Sequence, residues 1–230
     1  MEIDDGSTLK PGTRVDDYVI GAVLGQGGFG ITYLVRDENL QKDFALKEFF
    51  PADLALRDGT RIRVRSRPNG ESDFNWGLKK FYDEARLVAQ FNHPNIVSVR
   101  RVFQANNSAY MLLDFIRGIT LEQWLVERAE MPTQQELDQL TGPLLRALDV
   151  VHANKIWHLD ISPDNIMMRA PNHTPVLVDF GASRFEMKQH SRLISALIFT
   201  GQWQLVSVYV TAAPNLKQVL LPLPANENQR

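Results

Sequence analysis

Two short strings hold the residue types best suited to chemistry. His158-Leu159-Asp160-Ile161-Ser162-Pro163-Asp164-Asn165 places a histidine, an aspartate two residues on and an asparagine five beyond that in one stretch. Asp179-Phe180-Gly181 follows, with Asp179 fourteen residues after Asn165. Moving the terminal phosphoryl group of a nucleotide triphosphate asks little covalent help of a protein. It needs positioning, cations held by carboxylate and amide oxygens, and a carboxylate facing the incoming hydroxyl. Both strings contain such residue types. A third string, Gly25-Gln26-Gly27-Gly28-Phe29-Gly30, reads equally as a turn or as a phosphate cradle. Each also has a plain structural explanation. A lone histidine is more often packed than catalytic, and Asp179-Phe180-Gly181 could be an ordinary turn after the apolar Val176-Leu177-Val178.

The elements that must position these residues are legible in outline. Residues 1–14 read as a solvated leader with a turn at Pro11-Gly12. Tyr18-Val19-Ile20, Ile31-Thr32-Tyr33-Leu34-Val35 and Phe44-Ala45-Leu46 are strand-like, with a turn at Asp37-Glu38-Asn39. The glycine string therefore lies between two strands. In a dinucleotide-binding fold the same spacing would open a helix; here β-branched and aromatic residues follow it, which favours a hairpin. Residues 48–70 read as an irregular insert, with Arg61, Arg63, Arg65 and Arg67 on one face of an extended segment. Those arginines suit an anion patch or, more simply, a solvated edge. Asp73 is the expected cap of a helix to about Phe91, with Phe74, Leu78, Phe81, Ala85 and Val88 as its apolar stripe. Glu84 lies on that same side, where a carboxylate needs a partner. Strands are expected over about 96–104 and 109–115, then a short helix at Leu121–Arg128. A longer helix begins at the capping box Thr133-x-x-Glu136, is bent near Pro143 and ends near Asn154. Strands with one helix among them, followed by helices, make a two-lobed α+β layout.

The 230 residues can bury one good core or two small lobes. A net charge of −2 gives no general attraction to nucleic acid or membrane, and the lack of cysteine excludes disulfides and thiolate metal sites. The acidic start Met1-Glu2-Ile3-Asp4-Asp5 is unlike a secretory signal, and no apolar run reaches the ~18 residues of a membrane span. The expectation is a cytoplasmic enzyme or binding domain.

In this order and spacing the motifs resemble those of the eukaryotic-type protein kinase family in its bacterial serine/threonine form, from about Tyr18 to about Thr200. The resemblance implies a protein-kinase-like fold: a small β-rich N-lobe with one helix over 18–116, and an incomplete helical C-lobe over 117–200. It also implies ATP and Mg2+ as ligands. Leu24, Gly25, Gly27, Gly28, Gly30, Thr32, Ala45, Asp114, Phe115, Ile116 and Met167 would surround the nucleotide, Leu113 would be the gatekeeper, and Asp114 to Ile116 the hinge to adenine. Lys47 would hold the α- and β-phosphates and pair with Glu84, although thirty-seven positions separate the two. The 48–70 insert accounts for that length. His93-Pro94-Asn95 matches the turn after the helix. Asp160 would orient the acceptor hydroxyl and take its proton, and Asn165 and Asp179 would hold magnesium. Val88, His158 and Phe180 would serve packing.

The chain departs from the family pattern in places. Leu159 replaces the arginine that meets a phosphorylated activation loop, and Ser162 replaces the lysine that steadies the γ-phosphate. Control by loop phosphorylation is therefore not expected, and transfer is expected to be slower. After Thr200 there is no Ala-Pro-Glu closing motif. Residues 201–230 are expected to be unrelated to the ancestral fold, as in a truncated or frame-shifted product. The leading expectation is a serine/threonine protein kinase domain. The alternatives are a nucleotide-binding pseudokinase or regulatory fragment without turnover, and a small-molecule phosphotransferase. Neither the protein substrate nor the oligomeric state can be read from the sequence.

Overall fold

The computed structural model describes residues 6–58, 62–158 and 160–180, and the backbone of 184–185. Several sequence expectations lie outside these residues: Met1–Asp5 of the leader, Arg61, Leu159, Gly181, the rest of the segment to Thr200 and the tail 201–230. The chain divides into two compact units, Met1–Arg117 and Gly118–Arg230.

The first unit is built on a six-stranded antiparallel sheet. Its strands are β1 (Arg14–Val15), β2 (Tyr18–Gln26), β3 (Gly30–Asp37) and β4 (Lys42–Phe49), followed beyond the insert by β7 (Val99–Ala105) and β8 (Ser108–Asp114). Their spatial order is β1-β2-β3-β4-β8-β7. Turn chemistry sets the register. Asp37 Oδ1 accepts the N–H groups of Asn39 and Leu40, each at 2.9 Å, closing the β3–β4 hairpin. Asn106 and Asn107 both take positive φ, as a two-residue hairpin turn requires. Ile31, Tyr33 and Leu46, on neighbouring strands, are fully buried in the core.

Residues 48–70 are more ordered than composition suggests: β5 (Ala55–Arg57) and β6 (Val64–Ser66) form an antiparallel hairpin. Val64 is buried while Arg63, Arg65 and Arg67 are exposed, which is the alternation of a solvated strand edge. The helix that follows, α1 (Glu71–Val88), is capped by Gly70 and not by Asp73. The Gly70 carbonyl accepts the Phe74 N–H at 2.9 Å, so the helix starts three residues early. Asp73 and Glu71 then occupy the first turn, where carboxylates complement the helix dipole. Nor is the whole leader solvated. Leu9 and Val15 are buried, and the Leu9 N–H donates to the Tyr33 hydroxyl at 3.1 Å.

The second unit starts with β9 (Gly118–Thr120), α2 (Leu121–Val126) and α3 (Gln134–Ala153). Both helices begin with reciprocal capping boxes, Thr120 with Gln123 and Thr133 with Glu136. α3 continues through Pro143 and buries Leu137, Leu140, Leu144, Ala147, Leu148 and Val151, a stripe at helical spacing. β10 (Ile156–Trp157) follows, then a single 3-10 turn over Pro163–Asn165, and the hairpin β11 (Ile166–Arg169) with β12 (Thr174–Leu177). A last short strand, β13 (Arg184–Phe185), pairs with β10, while β9 adds to β11.

Candidate active site

In the first unit β4 and α1 bring together two residues far apart in sequence. Lys47 Nζ lies 2.9 Å from Glu84 Oε1, with the side chains 16% and 12% exposed. Glu84 thereby has the partner its place on the apolar side demands. Lys47 sits between Thr32 on β3 and Met111 on β8, so both neighbouring strands fix its height. The helix is seated by aromatic contact: the Phe49 ring lies 5.2 Å from Phe74 and 5.9 Å from Phe81. Gly77 permits that approach, because a Cβ there would stand 2.9 Å from the Phe49 ring edge.

The glycines of the string are present for different reasons. A Cβ on Gly30 would lie 2.4 Å from the Glu48 carbonyl oxygen, so the hairpin itself demands glycine there. At Gly25, Gly27 and Gly28 a Cβ would meet nothing within 4 Å. The open face above these three residues fits a group that must come close to their backbone, as a phosphate does. Leu24 and Phe29 are exposed beside them, and Thr32 is half-buried. Ala45 lies buried on β4 opposite Leu113.

The residues expected at the hinge lie at the end of β8 and just after it. Arg100 pairs with the Asp114 carboxylate through two nitrogens, and Lys42 lies 3.8 Å from it. The Asp114 N–H donates to Ser98 O at 3.0 Å, so it is not a donor to adenine. Phe115 is half-buried and Ile116 buried.

In the second unit, Asp160 is exposed on the loop after β10. Asn165 Nδ2 donates to its carbonyl at 3.1 Å and to its Oδ2 at 3.0 Å. Asn165 immediately precedes β11, and Asp179 lies two residues beyond β12. Because Ile166 pairs with Leu177, both fall at the same end of that hairpin, where the Val178 N–H donates to Asn165 O at 3.1 Å. Topology thus gathers Asp160, Asn165 and Asp179, all oxygen-bearing, at one place. Two protein ligands suit Mg2+, which keeps waters and takes further oxygens from substrate phosphates. Met167 lies on β11 between Thr120 and Val176, and Ser162 starts the 3-10 turn by accepting the Asn165 N–H at 3.0 Å.

His158 is 1% exposed, with its ring 4.4 Å from that of Phe180. Burial pushes its pKa down to about 4, against the opposing charge of Asp179. Val88 is buried in the other unit.

Sequence reasoning missed a buried polar cluster beside Lys47. The Glu48 carboxylate, 0% exposed, is bridged by Arg57 at 3.0 and 2.5 Å and accepts the hydroxyls of Tyr33 and Tyr110 at 3.0 and 2.8 Å. Burial first, and then the Glu48 charge, raise both tyrosine pKa values. Burial acts to lower the Arg57 pKa, but its hydrogen bonds and attraction to Glu48 outweigh it, and the net direction is upward. The available signal was an acid inside the apolar run Phe44–Phe50, a position that requires a buried cation somewhere.

The protein kinase domain family matches residues 18–204. The chain is 34% identical over 173 residues to serine/threonine-protein kinase PknB of Mycobacterium leprae, covering 74% of this chain and 25% of that protein. It is 31% identical to serine/threonine-protein kinase D of Synechocystis, covering 75% of this chain and 31% of that one. The chain thus spans about a quarter to a third of these two relatives' lengths. Among solved structures, the apo form of PpkA-294 superposes with a TM-score of 0.71 at 30% identity, covering 94% of this chain and 69% of that one.

Proposed function

Since the chain belongs to the protein kinase family, we propose that it transfers the γ-phosphoryl group of MgATP to serine or threonine hydroxyls of protein substrates. The gathering of Asp160, Asn165 and the Asp179 strand end at one hairpin end carries this reading. Lys47, held by Glu84, offers a fixed cation to the α- and β-phosphates, and the space beside the backbone of Gly25, Gly27 and Gly28 is open to a phosphate. Asn165 and Asp179 would hold Mg2+, which neutralises charge on the phosphate oxygens when bound. Asp160 is solvent-facing and steadied by Asn165, so it can orient the acceptor hydroxyl and take its proton as the O–P bond forms and ADP leaves. The proton goes to a carboxylate oxygen and the γ-phosphoryl group to the acceptor.

Among the described residues no helix is long and apolar enough to cross a membrane. Labelled γ-phosphate transfer to a mixed protein substrate tests the proposal. Asp160→Asn is expected to lower transfer at least ~100-fold while MgATP still binds. Binding of MgATP with no transfer by the unaltered chain would overturn the proposal in favour of a pseudokinase. Transfer to small alcohols but not to protein would favour a small-molecule phosphotransferase.

A further inference from the structure

We propose that Arg57, through its buried pair with Glu48, is a positioning residue: it fixes the strand edge that carries Lys47 and braces the glycine string. The functional half of this proposal rests on the MgATP reading above. The structural half does not.

Lys47 and Glu48 are consecutive in β4, so their side chains leave opposite faces of the sheet. Whatever fixes Glu48 therefore fixes the register and rotation of Lys47. Four hydrogen bonds do so. Arg57 spans both carboxylate oxygens, Tyr33 reaches Oε2 from β3, and Tyr110 reaches Oε1 from β8. These two strands are the neighbours of β4, so one carboxylate ties three central strands together. Arg57 also donates to the backbone carbonyls of Ser7 and Ile62 and lies over the Phe50 ring, 4.7 Å from its centroid. The N-terminal segment, the β5–β6 hairpin and the sheet converge on one guanidinium.

The chain between Glu48 and Arg57 then runs beside the glycine string. Phe50 N–H donates to Phe29 O at 3.2 Å, and Ala52 N–H donates to Gly28 O at 3.3 Å. Gly30 sits directly against the Glu48 carbonyl. The first part of the insert is thus anchored at Arg57 and laid along the glycine string through Phe50 and Ala52. A buried ion pair is a poor source of stability compared with apolar residues of equal volume, whereas its directional bonds set register. The bridging geometry needs the planar fork of arginine, which reaches two oxygens and two carbonyls at once.

The test uses the full chain with Arg57→Met and Glu48→Gln combined. This double variant leaves no orphan charge, and the amide offers an acceptor oxygen to one tyrosine and an N–H donor to the hydroxyl oxygen of the other. Amide hydrogen exchange without ligand is read for peptides 24–34 and 47–52 against β7, and the Kd of a fluorescent ATP analogue is read with Mg2+. Exchange at least tenfold faster in the first two peptides, unchanged exchange in β7 and at least tenfold weaker nucleotide binding are expected. Unchanged or uniformly faster exchange would reduce the pair to ordinary stabilisation and overturn the proposal. If the double variant fails to fold, Arg57→Lys keeps the charge without the fork and is judged on the same readings. If the unaltered chain binds no nucleotide, the MgATP reading fails and the functional half falls with it. The exchange comparison still decides the bracing.

Discussion

At the level of single residues, the site separates into groups that meet ligand and groups that hold them. Arg57→Met alone would strand the Glu48 carboxylate in the core and should cost about 3–5 kcal/mol, read as a fall in the urea midpoint. His158 makes a pH prediction with a definite sign. Its folded pKa near 4 lies below the unfolded value near 6.5, so between those limits the unfolded chain binds the extra proton. Stability from this residue is complete above pH 6.5 and is lost as pH falls toward 4, on the order of 3 kcal/mol in all. Urea midpoints at pH 7 and 4.5 should differ, and His158→Phe should flatten the difference. Ser162→Lys should speed transfer by restoring a cation near the γ-phosphate; an unchanged rate would dispose of that idea. The motif residues were legible because phosphate chemistry restricts which types can serve. Arg57 was not, because nothing local distinguishes a buried arginine from Arg63, Arg65 and Arg67 on the same insert.

The secondary-structure elements show the same divide. Gly77→Ala sets two effects against each other: about 1 kcal/mol of helix propensity gained, and a Cβ 2.9 Å from a buried ring. The ring cannot retreat easily, since Phe49 is 3% exposed and wedged between Phe74 and Phe81. The variant should therefore be destabilised on balance and bind nucleotide less tightly, as α1 carries Glu84 away from Lys47; calorimetric melting and nucleotide titration check both. Capping boxes and hairpin turns were readable because they are local hydrogen-bond bargains. The sequence puts the start of α1 too late because an aspartate suits the first turn, through the helix dipole, as well as the cap position. Of the β5–β6 hairpin only β6 is legible, from its alternating arginines; three-residue β5 carries too little periodicity to betray its partner.

For the molecule as a whole, MgATP at 100 times its Kd should stabilise the fold by about 2.7 kcal/mol, and Lys47→Ala should abolish the shift in melting temperature. The α+β class followed from element order, and the family from motif order. The burial of Leu9 did not, because the polar leader gives no sign that a tyrosine hydroxyl awaits its backbone. The Glu48 carboxylate also bears on descent. A lineage that lost the hairpin but kept the acid would inherit an uncompensated interior charge, and one that lost the acid first would strand the guanidinium. Residues 48 and 57 are therefore expected to change together among relatives, the insert being retained or discarded with its acid as a single heritable unit.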